Sequence, residues 1–196
     1  GAKTVSGSIA NWVNRSDLPT TEILAETEAW IYQRLRVREM MERASAFTFD
    51  AAASTEALPA SFLDPISFLP YEWGEPLPFY HEEAFRDPRD SAGALSSGTP
   101  SKWTIVGETA YVDVACEAAF IGVLLYYKQP AALSSGNLTN FLTNRYPKLL
   151  RQACIAMAYE HMKDDRAAAY LQVAEADIME AARTHEMFRR GQYVPA

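Results

Sequence analysis

Cysteine is scarce in this sequence: Cys116 and Cys154 are the only two in 196 residues. They share no CxxC or Cys/His spacing, so neither a disulfide framework nor a zinc site is expected. Both sit among apolar residues and read as buried free thiols, which suits a reducing cytoplasm. Histidine is equally sparse. His81, His161 and His185 fall in no HxxE, HExxH or HxH arrangement, so metal chemistry has little support. The glycines Gly7, Gly74, Gly93, Gly98, Gly107 and Gly136 stand isolated, with no GxGxxG or GxxxxGK(S/T) run to cradle a phosphate. No GxSxG elbow is present either. The longest apolar run, Ala118 to Tyr127, is strand-sized, contains Gly122 and is far short of the roughly 18–20 residues that span a bilayer. No leader pattern opens the chain, and secretion is not expected. Gly1-Ala2, without an initiator Met, is set aside from the fold.

Positive charge is also in short supply. Asp and Glu number 25 against 18 Lys and Arg, for a net charge of −7. Tight, sequence-independent binding of nucleic acid needs a field of cations facing the phosphates and is disfavoured. The balance suits a surface past which DNA slides without sticking, although many soluble proteins are acidic. With 48% hydrophobic and 22% charged residues, the chain can bury one sizeable core and is not a disordered tract.

Hydrophobic periodicity changes type twice along the chain. Thr20 to about Ala44 reads as a helix. Thr20 or Thr21 can cap it, Glu22 and Glu26 suit its first turns, and Ile23, Thr27, Trp30, Arg34, Val37 and Met41 line one face, widened by Leu24, Ile31 and Leu35. Glu28, Gln33, Arg36 and Glu39 fall on the opposite side. A strand-rich stretch follows, with short strands at Phe47–Phe49, Pro65–Leu69 and Leu77–Tyr80, a turn at Glu72–Glu75 and one helical turn at His81–Phe85. Arg86–Pro100, dense in Asp, Pro, Gly and Ser, reads as the longest exposed loop. Trp103–Val106 and Thr109–Val114 flank Gly107-Glu108 as a hairpin, and Phe120–Tyr127 is expected to join them in an antiparallel meander. Helix returns with Leu138–Arg145, capped by Thr139 or Asn140. A second helix carries Pro147 in its first turn and a stripe of Tyr146, Leu149, Leu150, Ala153, Met157, Ala158 and His161. A last long helix, capped by Asp164 or Asp165, turns Tyr170, Leu171, Ala174, Ile178, Ala181 and Phe188 inward and stops at Gly191.

These segments predict an α+β fold in one domain. A helical bundle core is built from residues 9–45 and 137–190, an antiparallel β-rich lobe is inserted at residues 46–130, and residues 191–196 form a tail. The residues offer no catalytic centre. His161 on its stripe reads as core or interface, and His185 as an imidazole on a solvated face. Glu82/Glu83 and Asp164/Asp165 are sequence neighbours that diverge on a helix, so they read as caps or solvated charge. Neither an enzyme nor a cofactor is expected. The competing reading is a small hydrolase or lytic accessory protein that uses His81 or His161 with nearby carboxylates.

Several segments occur in a telling order. They are Trp12 to Leu18, Leu24-Ala25-Glu26 with Arg34 to Met40, Leu58 to Leu63, Trp103 to Thr109, Tyr126 to Ser134, Asn140-Phe141-Leu142 with Tyr146 to Leu150, and Lys163-Asp164-Asp165. In this order the chain resembles tailed-phage head-to-tail connector adaptor proteins, a type also found in gene transfer agents. Leu58-Pro59-Ala60-Ser61-Phe62-Leu63 departs in carrying Ser61 where that pattern often has Asp. The resemblance implies a structural subunit of the virion neck, assembled in the host cytoplasm. It further implies a ring, expected to hold twelve copies, that docks beneath the portal protein, continues the DNA channel without binding DNA specifically and receives tail or stopper proteins. No membrane is involved. The candidate protein-interface residues are Arg34, Arg36, Arg38 and Glu39 on the first helix and Arg189, Arg190 and Tyr193 at the C-terminus. The competing reading of the helix charges is intrahelical pairing worth a few tenths of a kcal/mol.

Overall fold

The computed structural model describes residues 5–86 and 94–190. The chain divides into two compact units, one made of Gly1–Met40 with Pro130–Ala196 and the other of Met41–Gln129. The fold class is α+β, with helices and antiparallel sheets.

The first unit is helical. It contains α1 (Val5–Val13), α2 (Thr20–Arg34), a 3-10 turn at Arg38–Met40, α3 (Phe141–Arg145), α4 (Pro147–His161) and α5 (Arg166–Arg189). α4 is the central helix, packing against α1, α2, α3 and α5. Its buried residues, Leu149, Leu150, Ala153, Cys154, Ile155, Ala156, Ala158 and Tyr159, therefore go nearly all the way round instead of forming one stripe. α5 needs only one face, and its buried residues Ala174, Ile178, Ala181 and His185 step by three and four. Asn140 caps α3 with a complete capping box: its side chain accepts from the N–H groups of Leu142 and Thr143, and the Thr143 hydroxyl accepts from the Asn140 N–H. Lys163 adopts φ 56° and closes α4. Its N–H donates to the Glu160 carbonyl and the N–H of Asp164 to the Tyr159 carbonyl.

Helix α2 ends at Arg34, well before the Ala44 that the periodicity suggested. Leu35 is already extended, with φ −94° and ψ 127°. Leu35 and Val37 are buried while Arg38 is exposed and Arg36 half-buried. Leu35-Arg36-Val37-Arg38 therefore alternates with period two, a strand-like pattern whose apolar members happen also to fall on a helical stripe. Glu28, placed by periodicity on the polar side of α2, is only 3% exposed. Its carboxylate accepts from the Leu133 N–H at 3.0 Å, the Tyr32 hydroxyl at 3.0 Å and the Asn140 amide nitrogen at 3.1 Å. A buried carboxylate is tolerated when donors surround it in this way. Burial and the Glu28 charge together push the Tyr32 phenol pKa up. Behind them, burial pushes the Cys154 thiol up to about 12, so it is a packed, unreactive thiol.

The second unit is built of strands. They are β1 (Met41–Phe49), β2 (Thr55–Ala57), β3 (Phe62–Pro70), β4 (Ser97–Gly98), β5 (Trp103–Val106), β6 (Thr109–Val112), β7 (Ala115–Cys116) and β8 (Phe120–Lys128). The β5–β6 hairpin pairs Val106 with Thr109 across Gly107-Glu108, as the sequence suggests. The meander does not form. β8 lies centrally in the order β1-β8-β3, while β6 is central in β2-β6-β5. β8 is apolar through most of its length, so it requires a covered position with a neighbour on each edge. β1 and β3 supply those neighbours, with Met41 opposite Tyr127 and Phe49 opposite Phe120.

Between the sheets, Phe68 meets Phe47, Phe49, Phe120 and Trp103 edge-on, with ring centroids 5.8–6.0 Å apart. Gly122 of β8 makes room for this ring. A Cβ there would lie 2.6 Å from both a Phe68 ring carbon and the Leu69 carbonyl oxygen.

Two stability measurements follow from these contacts. Gly122→Ala is expected to destabilise by about 1–3 kcal/mol in urea unfolding, since it overpacks a closed core. Gly74→Ala, with nothing within 4 Å of its added methyl, should move the midpoint far less. Glu28→Gln replaces one acceptor oxygen with an NH2 donor that must face the donors of Leu133 and Asn140, and should cost about 2–3 kcal/mol. An unchanged midpoint in either destabilising variant would contradict the packing described.

Candidate functional site

The charged residues singled out in the sequence lie in three settings. Arg34, at the end of α2, sits with its guanidinium 4.8 Å over the Trp30 ring and donates to the Trp30 carbonyl at 3.2 Å. Arg36 donates from Nη1 to the carbonyls of Tyr32 and Leu35, closing the C-terminus of α2. Neither is on a continuous helix with Arg38 and Glu39, because the chain is extended at Leu35.

Arg38 and Glu39 stand in the third setting, at the last turns of α5. Arg38 lies 5.3 Å over the Phe188 ring and its Nε is 3.2 Å from Glu39. The Glu39 carboxylate, 16% exposed, also takes Arg145 Nε at 3.3 Å. His185 faces the same cluster and is 8% exposed. Arg190 pairs one turn back with Glu186, and Arg189 is exposed. The structure thus brings Arg38 and Glu39 to the same end of the helical unit as Arg189, although the two groups come from opposite ends of the sequence. Tyr193 lies outside the described residues, as do residues 191–196 as a whole and the middle of the Arg86–Pro100 loop.

Sequence reasoning missed Arg145 and His185 here. His185 was expected on a solvated face, but it is the last member of the α5 buried stripe. The spacing Ala174, Ile178, Ala181, His185 was the available signal, and Phe188, expected inward, is 44% exposed. His161 was expected in the core or an interface. It is exposed and so not in the core, because α4 ends at that residue. Burial lowers the His185 pKa, Arg189 and Arg38 push in the same direction, and Glu39 opposes them.

The β unit has a different surface. The net charge is not evenly spread: residues 41–129 carry 13 Asp and Glu against 5 Lys and Arg, a net of −8, while the helical unit is near neutral at +1. A groove of about 780 Å³ opens on this unit beside β3 and the β5–β6 turn, and among the described residues its lining includes the carboxylates Asp64 and Glu108 and no Lys or Arg. Among the described residues no group of three or more His, Cys, Asp and Glu side chains is placed to hold a metal ion. No described helix is long and apolar enough to cross a membrane.

The described residues thus place cationic and aromatic side chains together at one end of the helical unit, and the β unit is strongly acidic. The sequence matches the family model for SU10 adaptor protein across residues 2–194, nearly its whole length. The chain belongs to the SU10 adaptor protein family. It is a phage adaptor protein, and the family is a structural one. No curated protein matches the sequence.

The His185 setting gives the adaptor an acid limb of stability. A histidine whose folded pKa lies below its unfolded value of about 6.5 takes up protons preferentially when unfolded. Its contribution is complete above that value and is lost as the pH falls through it. Urea midpoints at pH 7.5 and 5.5 should therefore differ more for the native adaptor than for His185→Gln, and equal differences would refute the assignment.

Proposed function

We propose that this adaptor is a ring subunit of the phage neck that docks beneath the portal, extends the DNA channel and receives tail components. The match to a phage adaptor family over residues 2–194 carries this reading. A closed ring needs two different, complementary surfaces on each subunit in a head-to-tail contact. The charge division between the two units supports such a contact, since an acidic β unit can face a cation-bearing end of the next subunit's helical unit. The acidic surface also suits a channel, because DNA is repelled from its wall and slides through.

Arg38, Glu39, Arg189 and Arg190, with Tyr193 beyond them, are the residues proposed to contact a neighbouring neck protein. Arg34 and Arg36 are proposed as peripheral to that contact, since one stacks on Trp30 and the other closes α2. A protein contact centred on arginine and aromatic side chains fits the composition of interface hot spots.

The test is co-sedimentation of the purified adaptor with assembled portal from the same phage, with negative-stain images of the pelleted complex. A ring of adaptor density, expected at twelve copies, on one end of the portal is the anticipated result. Arg189→Glu with Arg190→Glu should weaken the association at least tenfold at low salt. Failure of the unaltered adaptor to bind portal at any salt concentration would count decisively against the reading.

A further inference from the structure

The groove on the β unit is the open half of a strand position. The segment after β3 returns along it: Leu77 pairs antiparallel with Phe68, and its N–H donates to the Phe68 carbonyl at 2.8 Å. Two residues later Phe79 pairs parallel with Trp103 of β5. The Trp103 N–H donates to the Pro78 carbonyl at 3.0 Å, and the Tyr80 N–H donates to the Trp103 carbonyl at 2.9 Å. Residues 77–80 therefore lie between β3 and β5 at one end of both strands. At His81 the chain leaves into the 3-10 turn Glu82–Ala84, and beyond it the two strands have no third strand between them among the described residues.

On β5 the outward-facing positions alternate. Trp103 is the first and Ile105 the second, and no strand lies beside Ile105 on that edge among the described residues. Leu63, Asp64 and Pro65 form the facing wall. Pro65 has no N–H, so a chain in the groove would draw its ladder hydrogen bonds from the β5 side. Exposed apolar surface borders the slot at Phe79, which is 40% exposed.

We propose that this groove takes an extended, cationic segment of another protein, which continues the line of residues 77–80 alongside β5 at Ile105. Strand addition gives affinity through main-chain bonds and specificity through alternate side chains. The apolar floor at Phe62, Leu63 and Ile105 accepts every second residue of the segment, which a strand presents on one face. The intervening residues are cationic because Glu108 stands at the groove's rim, in a unit of net charge −8. The inference rests on the adaptor reading only for where such a segment comes from, namely another component of the same assembly. The groove itself is a property of the β unit.

The experiment uses the full chain and a capped hexapeptide of alternating lysine and valine, followed by fluorescence anisotropy and by amide shifts at Ile105, Gly107 and Leu63. Binding is expected, with those amides shifting and affinity falling at least tenfold on Glu108→Lys. Glu108 is exposed at the hairpin turn, so this variant is expected to fold, which circular dichroism checks. N-methylation of alternate peptide amides should abolish binding while leaving the charge unchanged. Equal binding of the methylated peptide would mean charge attraction only, and equal binding of a glutamate–valine peptide would mean apolar adhesion only; either overturns the proposal. Tighter binding of a peptide with the sequence Arg189 to Ala196 would also overturn it, by making the occupant a second copy of this chain. Glu108→Lys should still form rings on portal, so loss of portal binding in the unaltered adaptor counts against the adaptor reading and not against the groove.

Discussion

The helical unit is made from two pieces of chain separated by an insertion, residues 41–129, and a buried carboxylate joins them. Glu28 belongs to the first piece; its donors at Leu133 and Asn140 belong to the second. The remaining packing of α2 on α4 is apolar and non-directional, so it can slide. The carboxylate cannot: a backbone N–H, a tyrosine hydroxyl and a capping side chain must converge on it together. The Asn140 that reaches Glu28 with its nitrogen holds the first turn of α3 with its oxygen. The start of α3, the loop before it and the register of α2 are thus set by one side chain, and α4 follows directly from α3 through Pro147.

That constraint explains what could and could not be read from the sequence. The β5–β6 hairpin was legible because a two-residue Gly107-Glu108 turn is a local instruction. α4 and α5 were legible because Pro147 marks a helix start and the break at Lys163-Asp164 separates two helical periods. The inward position of Glu28 was not legible. It follows Leu24 by four residues and precedes Ile31 by three, which puts it beside the apolar stripe. A carboxylate there makes sense only once donors from far along the chain are known. The same holds for β8. Its apolar composition announced a strand, yet nothing local named β1 and β3 as its neighbours over β6.

The candidate surfaces divide along the same line. Arg38 and Glu39 were visible as charge, but their partner Arg145 and the nearby end of α5 come from tertiary packing. Arg34 and Arg36 looked equivalent to them and are not: Arg34 is the last residue of α2 and lies over Trp30 one turn back, and Arg36, past the change to extended chain at Leu35, closes the helix on the Tyr32 carbonyl. The acidic groove left no mark in the sequence beyond the excess of carboxylates, since its walls are drawn from β3, β5 and the loop between them.

The pairing of Met41 with Tyr127 has a consequence for the order of events during synthesis. It holds the two ends of the insertion side by side, at the spacing of adjacent strands. An unstructured loop of about ninety residues would cost roughly 4 kcal/mol in closure entropy before α2 could meet α4. Once β1 and β8 have zipped together, that cost is already met, and the second half of the helical unit emerges from the ribosome next to its waiting first half. The inserted lobe acts as a clasp for a bundle that could otherwise close only by chance encounter.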